Sequence, residues 1–290
     1  MNFKSMMLSV VFFSIVNLYA QAQPDRKGDY YEEKEHAFMF LVGRNFKPFI
    51  QAELGAGLLN HKRVDTEFNT HAAANIRFGY SEHWRAKRLI PKLDERYIFG
   101  TYFMSDLQEL DPDTAKIHSS YYQFGVGNRT GYGYKLGPLA LVPYHQIEFS
   151  VNRLEFNAPT GISSLEEDIL NRYPGELRLG LNYGGGAKLE LFRTLSVNAS
   201  YETSIVYPRW LFGQWLGSVI IQESAMGIAT YFGDDIVEAS PVLGPIVYWG
   251  IKNGLSLVFA NLLRDNMNWP FKSEAPLLNG TIKVGASLVF

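Results

Sequence analysis

The 290-residue chain contains no cysteine. Disulfides, thiolate metal sites and a lipid-modified cysteine are thereby excluded, and an oxidising compartment stays open to it. Beyond the extreme N-terminus it also lacks any run of the ~20 apolar residues that a membrane-spanning helix needs. The nearest approach, Trp210 to Phe232, is interrupted by Gln214, Gln222, Glu223 and several glycines. Strong charge of either sign is missing as well. The formal net charge is −2, so no whole-molecule field points to nucleic acid. His36, His61, His71, His83, His118 and His145 show none of the i, i+2 or i, i+4 spacings that hold metals. Neither a metal nor another cofactor is expected.

What is present favours β-structure. The chain has 20 Phe, 17 Tyr, 5 Trp and 26 Gly; aromatics suit strands, and glycines suit turns and crowded interiors. Residues 1–22 read as a cleavable export signal, with Lys4 as the positive start, Met6 to Tyr19 as the apolar core and Ala20-Gln21-Ala22 as the cleavage site. Residues 23–47 read as a lead-in, in which the apolar run His36–Arg44 has no assigned place, and residues 48–290 as one β-barrel.

The strongest pattern is alternation with a period of two. Between Gly175 and Leu191, Leu177, Leu179, Leu181, Tyr183, Ala187 and Leu189 share one face, and Glu176, Arg178, Asn182, Lys188 and Glu190 share the other. Past Phe192-Arg193 the alternation resumes from Leu195 to Tyr207. Two such arms make a hairpin with one apolar and one polar side. Each runs about 13–17 residues, beyond the ~5–6 usual in globular sheets and enough for the ~9–11 of a tilted membrane strand. Gly180, Gly184 and Gly186 lie on the polar face, as a narrow lumen requires. Further strands are expected at Ile50–Leu58, His71–Tyr80, Arg96–Met104, His118–Tyr134, Pro138–Val151, Val242–Ile251, Leu255–Leu263 and Leu278–Phe290. The expected fold is therefore all-β: an antiparallel transmembrane β-barrel of about ten strands, with eight and twelve as alternatives.

The connections alternate in length. Lys135-Leu136-Gly137, Phe192-Arg193 and Lys252-Asn253-Gly254 are short, whereas Ser105–Ile117, Asn152–Pro174, Pro208–Pro241 and Arg264–Leu277 are long. Short turns on one rim and long loops on the other are the habit of membrane barrels. Ser81–Glu95 breaks the rule, being long and basic where a short turn is due. A short helix is expected within 210–232, in a loop that could fold inward as a plug or lid, lie on the outer leaflet, or contact a partner.

At the last strand a resemblance emerges. Ile282, Val284, Ala286 and Leu288 alternate before a final Phe290, which resembles the terminal signal by which Gram-negative outer-membrane β-barrel proteins are passed to the barrel-assembly machinery. The resemblance covers the export signal, the strand–loop rhythm and the terminal strand, without pointing to a subfamily. It implies a place in the bacterial outer membrane, with its lipid and that machinery as partners, and implies no ligand.

Chemistry is harder to find. Outer-membrane phospholipases use Ser, His and Asn, and lipid A deacylases a His-x-Ser arrangement. Here His145 is followed two residues on by Ile147, and Ser150 has the opposite strand parity. His61, Asp65 and His71 surround a rim turn without a diagnostic spacing. No catalytic residue is assigned. The polar face carries Glu53, Arg77, Arg129, Glu148, Glu176, Arg178, Lys188, Glu190, Glu202 and Lys283, a mixed set expected to form a lumen network. The sequence thus favours a structural barrel or a narrow or gated pore for small solutes. A rim hydrolase acting on lipid or peptide, and a surface-binding protein using its external loops, are the alternatives.

Overall fold

The computed structural model describes residues 46–84, 90–105, 116–192 and 194–290. Strands β1 (Phe46–His61), β2 (His71–Trp84), β3 (Lys92–Met104), β4 (His118–Tyr132), β5 (Tyr134–Leu136), β6 (Leu139–Asn157), β7 (Arg178–Glu190), β8 (Leu195–Val206) and β9 (Leu277–Val289) form one antiparallel sheet. Its order is β4-β3-β2-β1-β9-β8-β7-β6-β5, and β4 also pairs with β6. The sheet therefore closes into a barrel of eight long strands, with β5 a three-residue ribbon on the β6 turn. Closure leaves no edge among these eight strands unpaired. At the tight β5–β6 turn, Gly137 has φ +64°, a conformation that glycine adopts freely.

Alternation decides which way each side chain points. In β1, Gln51 and Glu53 are buried while Ala52, Leu54 and Leu58 face outward, and β2, β4, β8 and β9 behave alike. Apolar side chains thus clothe the outside: Ile76, Phe78, Ile98, Phe124, Val197, Ile282, Val284 and Leu288 are all exposed.

The count differs from the expected ten. Val242–Ile251 and Leu255–Leu263 are not strands: from Gly244 onward both belong to one helix, and Lys252-Asn253-Gly254 lies in its middle. Helix α1 (Ser164–Leu170) sits in the β6–β7 loop, and α2 (Phe212–Ala239) and α3 (Gly244–Asp265) form a hairpin between β8 and β9. Apolar side chains two apart suit a strand, but apolar residues all round suit an embedded helix equally well. Pro245 occupies the first turn of α3, where a missing N–H costs nothing. The expected short helix in 210–232 is in fact 28 residues long. Most of the anomalous Ser81–Glu95 link is strand: Ser81 pairs with Glu95 and Trp84 with Lys92. Strand β1 includes Phe46 and Lys47, two residues ahead of the expected boundary at 48. The export-signal, lead-in and His36–Arg44 readings, and residues 106–115 of the Ser105–Ile117 link, lie outside the described residues.

The hairpin stands against the outer wall of the barrel. Trp215 of α2 packs edge-on to Phe149 of β6 at 6.2 Å, in a cluster with Leu179, Leu181, Tyr183, Ile205, Val219 and Leu263. Near the strand turns, Tyr132 donates to Asp234 at 2.9 Å and Tyr134 to the Val242 carbonyl at 2.9 Å. At the opposite rim, Lys62 pairs with Asp265 at 2.6 Å. The two helices therefore run the height of the wall and back.

Candidate functional site

Burying a charge demands a partner, and among the described residues the lumen supplies one for every charge it holds. Arg77 pairs with Glu53, with Glu148 at 3.0 Å and with Glu202 at 3.3 Å. Arg129 lies 3.5 Å from Glu53 and 3.6 Å from Glu95, and donates to Gln51 and Gln146 at 2.8 Å each. Lys188 pairs with Glu95, and Lys283 with Glu202 at 2.9 Å. Four cations thus meet four carboxylates, all at most 2 % exposed, and the lattice is electrically neutral. Both guanidinium groups lie 5.3 Å from the ring of Tyr97, whose hydroxyl donates to Glu148 at 2.8 Å. Asn182 donates to Glu148 at 2.8 Å and Gln146 to Glu202 at 2.7 Å.

Buried apolar side chains flank the lattice toward both rims. Toward the rim where the chain enters and leaves lie Phe49, Tyr97, Phe99 and Val289, with Leu93, Val142 and Tyr144. Toward the other rim, Leu59, Phe103, Tyr121, Leu154, Val206 and Leu277 pack with loop residues Val64, Phe68, Ile169 and Tyr173. The loops are fastened over that end. Glu166 accepts the backbone N–H groups of Asp65 at 2.9 Å and Thr66 at 2.8 Å, and its other oxygen caps α1 through Ser163. These donors, first that of Thr66 and then Ser163, hold its carboxyl down at about 2.

Of the ten charged residues expected in the lumen, the structure gathers Glu53, Arg77, Arg129, Glu148, Lys188, Glu202 and Lys283. The other three are rim residues. Glu176 precedes β7, 58 % exposed, and pairs with Arg178 at 3.3 Å. Arg178 also donates to the Tyr173 carbonyl at 3.4 Å, and Glu190 is half-buried at the far end of β7. Parity tells which face a side chain takes but not its depth. Glu95, Tyr97 and Gln146 were missed, whereas Asn182 was placed on the polar face without a partner. Glu95 lay in a segment read as a turn, and extending the parity of Tyr97 by one step finds it. Ser150 faces the lumen, where its hydroxyl accepts from Gln123 at 3.3 Å, whereas His145 faces outward. His61 reaches the Ala275 carbonyl and His71 sits edge-on to Phe103 inside the barrel, so the two share no site. In β9, Ile282, Val284, Ala286 and Leu288 face outward, and Phe290 just beyond the strand is exposed.

A second polar group lies outside the lumen, between the wall and the hairpin. His145 Nδ1 is 3.4 Å from Asn253 Oδ1, Lys252 donates to Thr230 at 2.8 Å, and Tyr183 bonds Gln222. Gln222 in turn donates to Ser218 at 2.8 Å. The approach is close: a Cβ on Gly185 would stand 2.1 Å from Asn253 Oδ1.

A closed ribbon, polar within and apolar without, leaves one architecture. It is that of a transmembrane β-barrel. Solved structures similar to the chain include Neisserial surface protein A, with a TM-score of 0.38 and 10 % identity, covering 84 % of this chain and 97 % of that one. Ail, the attachment invasion locus protein of Yersinia pestis, gives 0.34 and 9 %, covering 85 % and 99 %. A major outer membrane protein from Thermus thermophilus gives 0.32 and 10 %, covering 84 % and 99 %. Likeness at this level does not bear on function. No family model matches the sequence, and no curated protein matches it.

Proposed function

We propose that this chain is an integral protein of the bacterial outer membrane whose barrel is structural and does not conduct. The supporting observation is the neutral lattice of Glu53, Arg77, Glu95, Arg129, Glu148, Lys188, Glu202 and Lys283, buried throughout and flanked by apolar clusters. An eight-stranded barrel has an interior that side chains just fill. A pore for small solutes would need polar side chains lining a continuous aqueous path, whereas here each charge is occupied by another. The outward Leu54, Phe78, Phe124, Val284 and Leu288 match a lipid surrounding. The test is planar-bilayer recording of the refolded protein. No conductance steps are expected in molar salt; regular steps would overturn the structural reading in favour of a pore.

A further inference from the structure

We infer that the α2–α3 hairpin is itself a membrane element, crossing the lipid layer beside the barrel with its outer face against acyl chains. This rests on the reading of the barrel as membrane-embedded. It adds that part of the barrel wall meets protein where the rest meets lipid, and that the surface presented to lipid is partly helical.

Two helices packed on the outside of a soluble protein would turn apolar residues inward and polar ones to water. This hairpin is apolar on both faces. Its buried positions mix Trp215, Val219, Met226, Phe259 and Leu263 with Ser218, Gln222, Lys252 and Ser256, while Ile220, Ile221, Ile228 and Phe232 of α2 and Ile246, Leu257 and Val258 of α3 are exposed. Charge is scarce. Within 212–232 the one charged residue is Glu223, and within 246–263 it is Lys252. They have opposite sign, and Lys252 reaches across the hairpin to donate to Thr230 of α2 at 2.8 Å. A lone ionisable group is tolerated in hydrocarbon when it turns inward to a partner. Those two stretches, of about 21 and 18 residues, span about 31 and 27 Å at ~1.5 Å per residue, close to the ~30 Å of a bilayer core. Gly244–Asp265 is long and apolar enough to cross a membrane by length and composition. Ionisable groups reappear in number only beyond these limits, as Asp234, Asp235 and Glu238 at one end and Arg264 and Asp265 at the other. The polar seam of His145, Asn253, Tyr183 and Gln222 then acts as interhelical hydrogen bonds do in membranes, fixing position where hydrophobicity cannot.

Because the chain has no cysteine, single spin labels report without background. Ile228→Cys and Leu257→Cys probe the hairpin, Leu54→Cys and Ile282→Cys the bare wall, and Leu165→Cys the rim. Each labelled variant is refolded into phosphatidylcholine vesicles and its collision rates with oxygen and with a water-soluble nickel chelate are compared. A variant lacking the heat-dependent gel shift of the folded barrel is replaced by its neighbour, Ile221→Cys or Val258→Cys on the hairpin. The hairpin labels should favour oxygen as strongly as those at 54 and 282, with the label at 165 favouring nickel. If 54 and 282 report lipid but 228 and 257 report water, the hairpin inference is overturned alone. If all five report water, the membrane reading falls with it.

Discussion

Arg77 touches three carboxylates at once and has no exposed atom through which water could compensate for its loss. Arg77→Met should therefore leave Glu53, Glu148 and Glu202 crowded together, at a cost of about 3–5 kcal/mol for an uncompensated buried charge. A lowered urea midpoint for the heat-dependent gel shift checks this. Lys62→Ala, which breaks a pair with both side chains about half exposed, should cost under ~1 kcal/mol by the same measurement. Glu166 adds a dependence on pH. Its carboxyl is held below its ordinary value, so loop fastening is fully present above pH ~4.5 and weakens as pH falls toward about 2. Protection of the Asp65 and Thr66 amides, taken relative to the intrinsic exchange rate at each pH, should fall in acid, and Glu166→Gln should lower it already at neutral pH.

At the scale of elements, the contact between α3 and β7 turns on Gly185, the outward residue against which Asn253 lies. Gly185→Val should push the hairpin off the wall. The expected result is faster proteolysis within 207–276 while the gel shift of the barrel persists; unchanged proteolysis would mean that the helices are held elsewhere. Strands in this chain were legible where one face is uniformly polar, as in β7 and β8. They were least legible where a partner covers the outer face: His145 and Gly185 break the apolar stripe because a helix, not lipid, lies against them. The hairpin itself was misread because Asn253-Gly254 imitates a tight turn. The deciding spacing was available in Tyr248, Lys252, Ser256 and Phe259 with Leu263, the inward stripe of α3. That stripe is polar in part, so a search for apolar periodicity passes over it.

For the whole molecule, the barrel gathers its charges into a neutral interior and gives its apolar side chains to the surroundings, an arrangement that is stable only if those surroundings are not water. Most of the lattice was readable from parity, because a closed barrel turns alternate residues inward regardless of sequence distance. Which carboxylate meets which cation was not, since that depends on the stagger of eight strands. The most direct measurement is refolding by dilution from urea, followed by circular dichroism and gel shift, with and without phosphatidylcholine vesicles. Strand signal and gel shift should appear together and only with lipid; a folded, dispersed monomer in plain buffer would contradict the lipid-facing surface on which the rest depends.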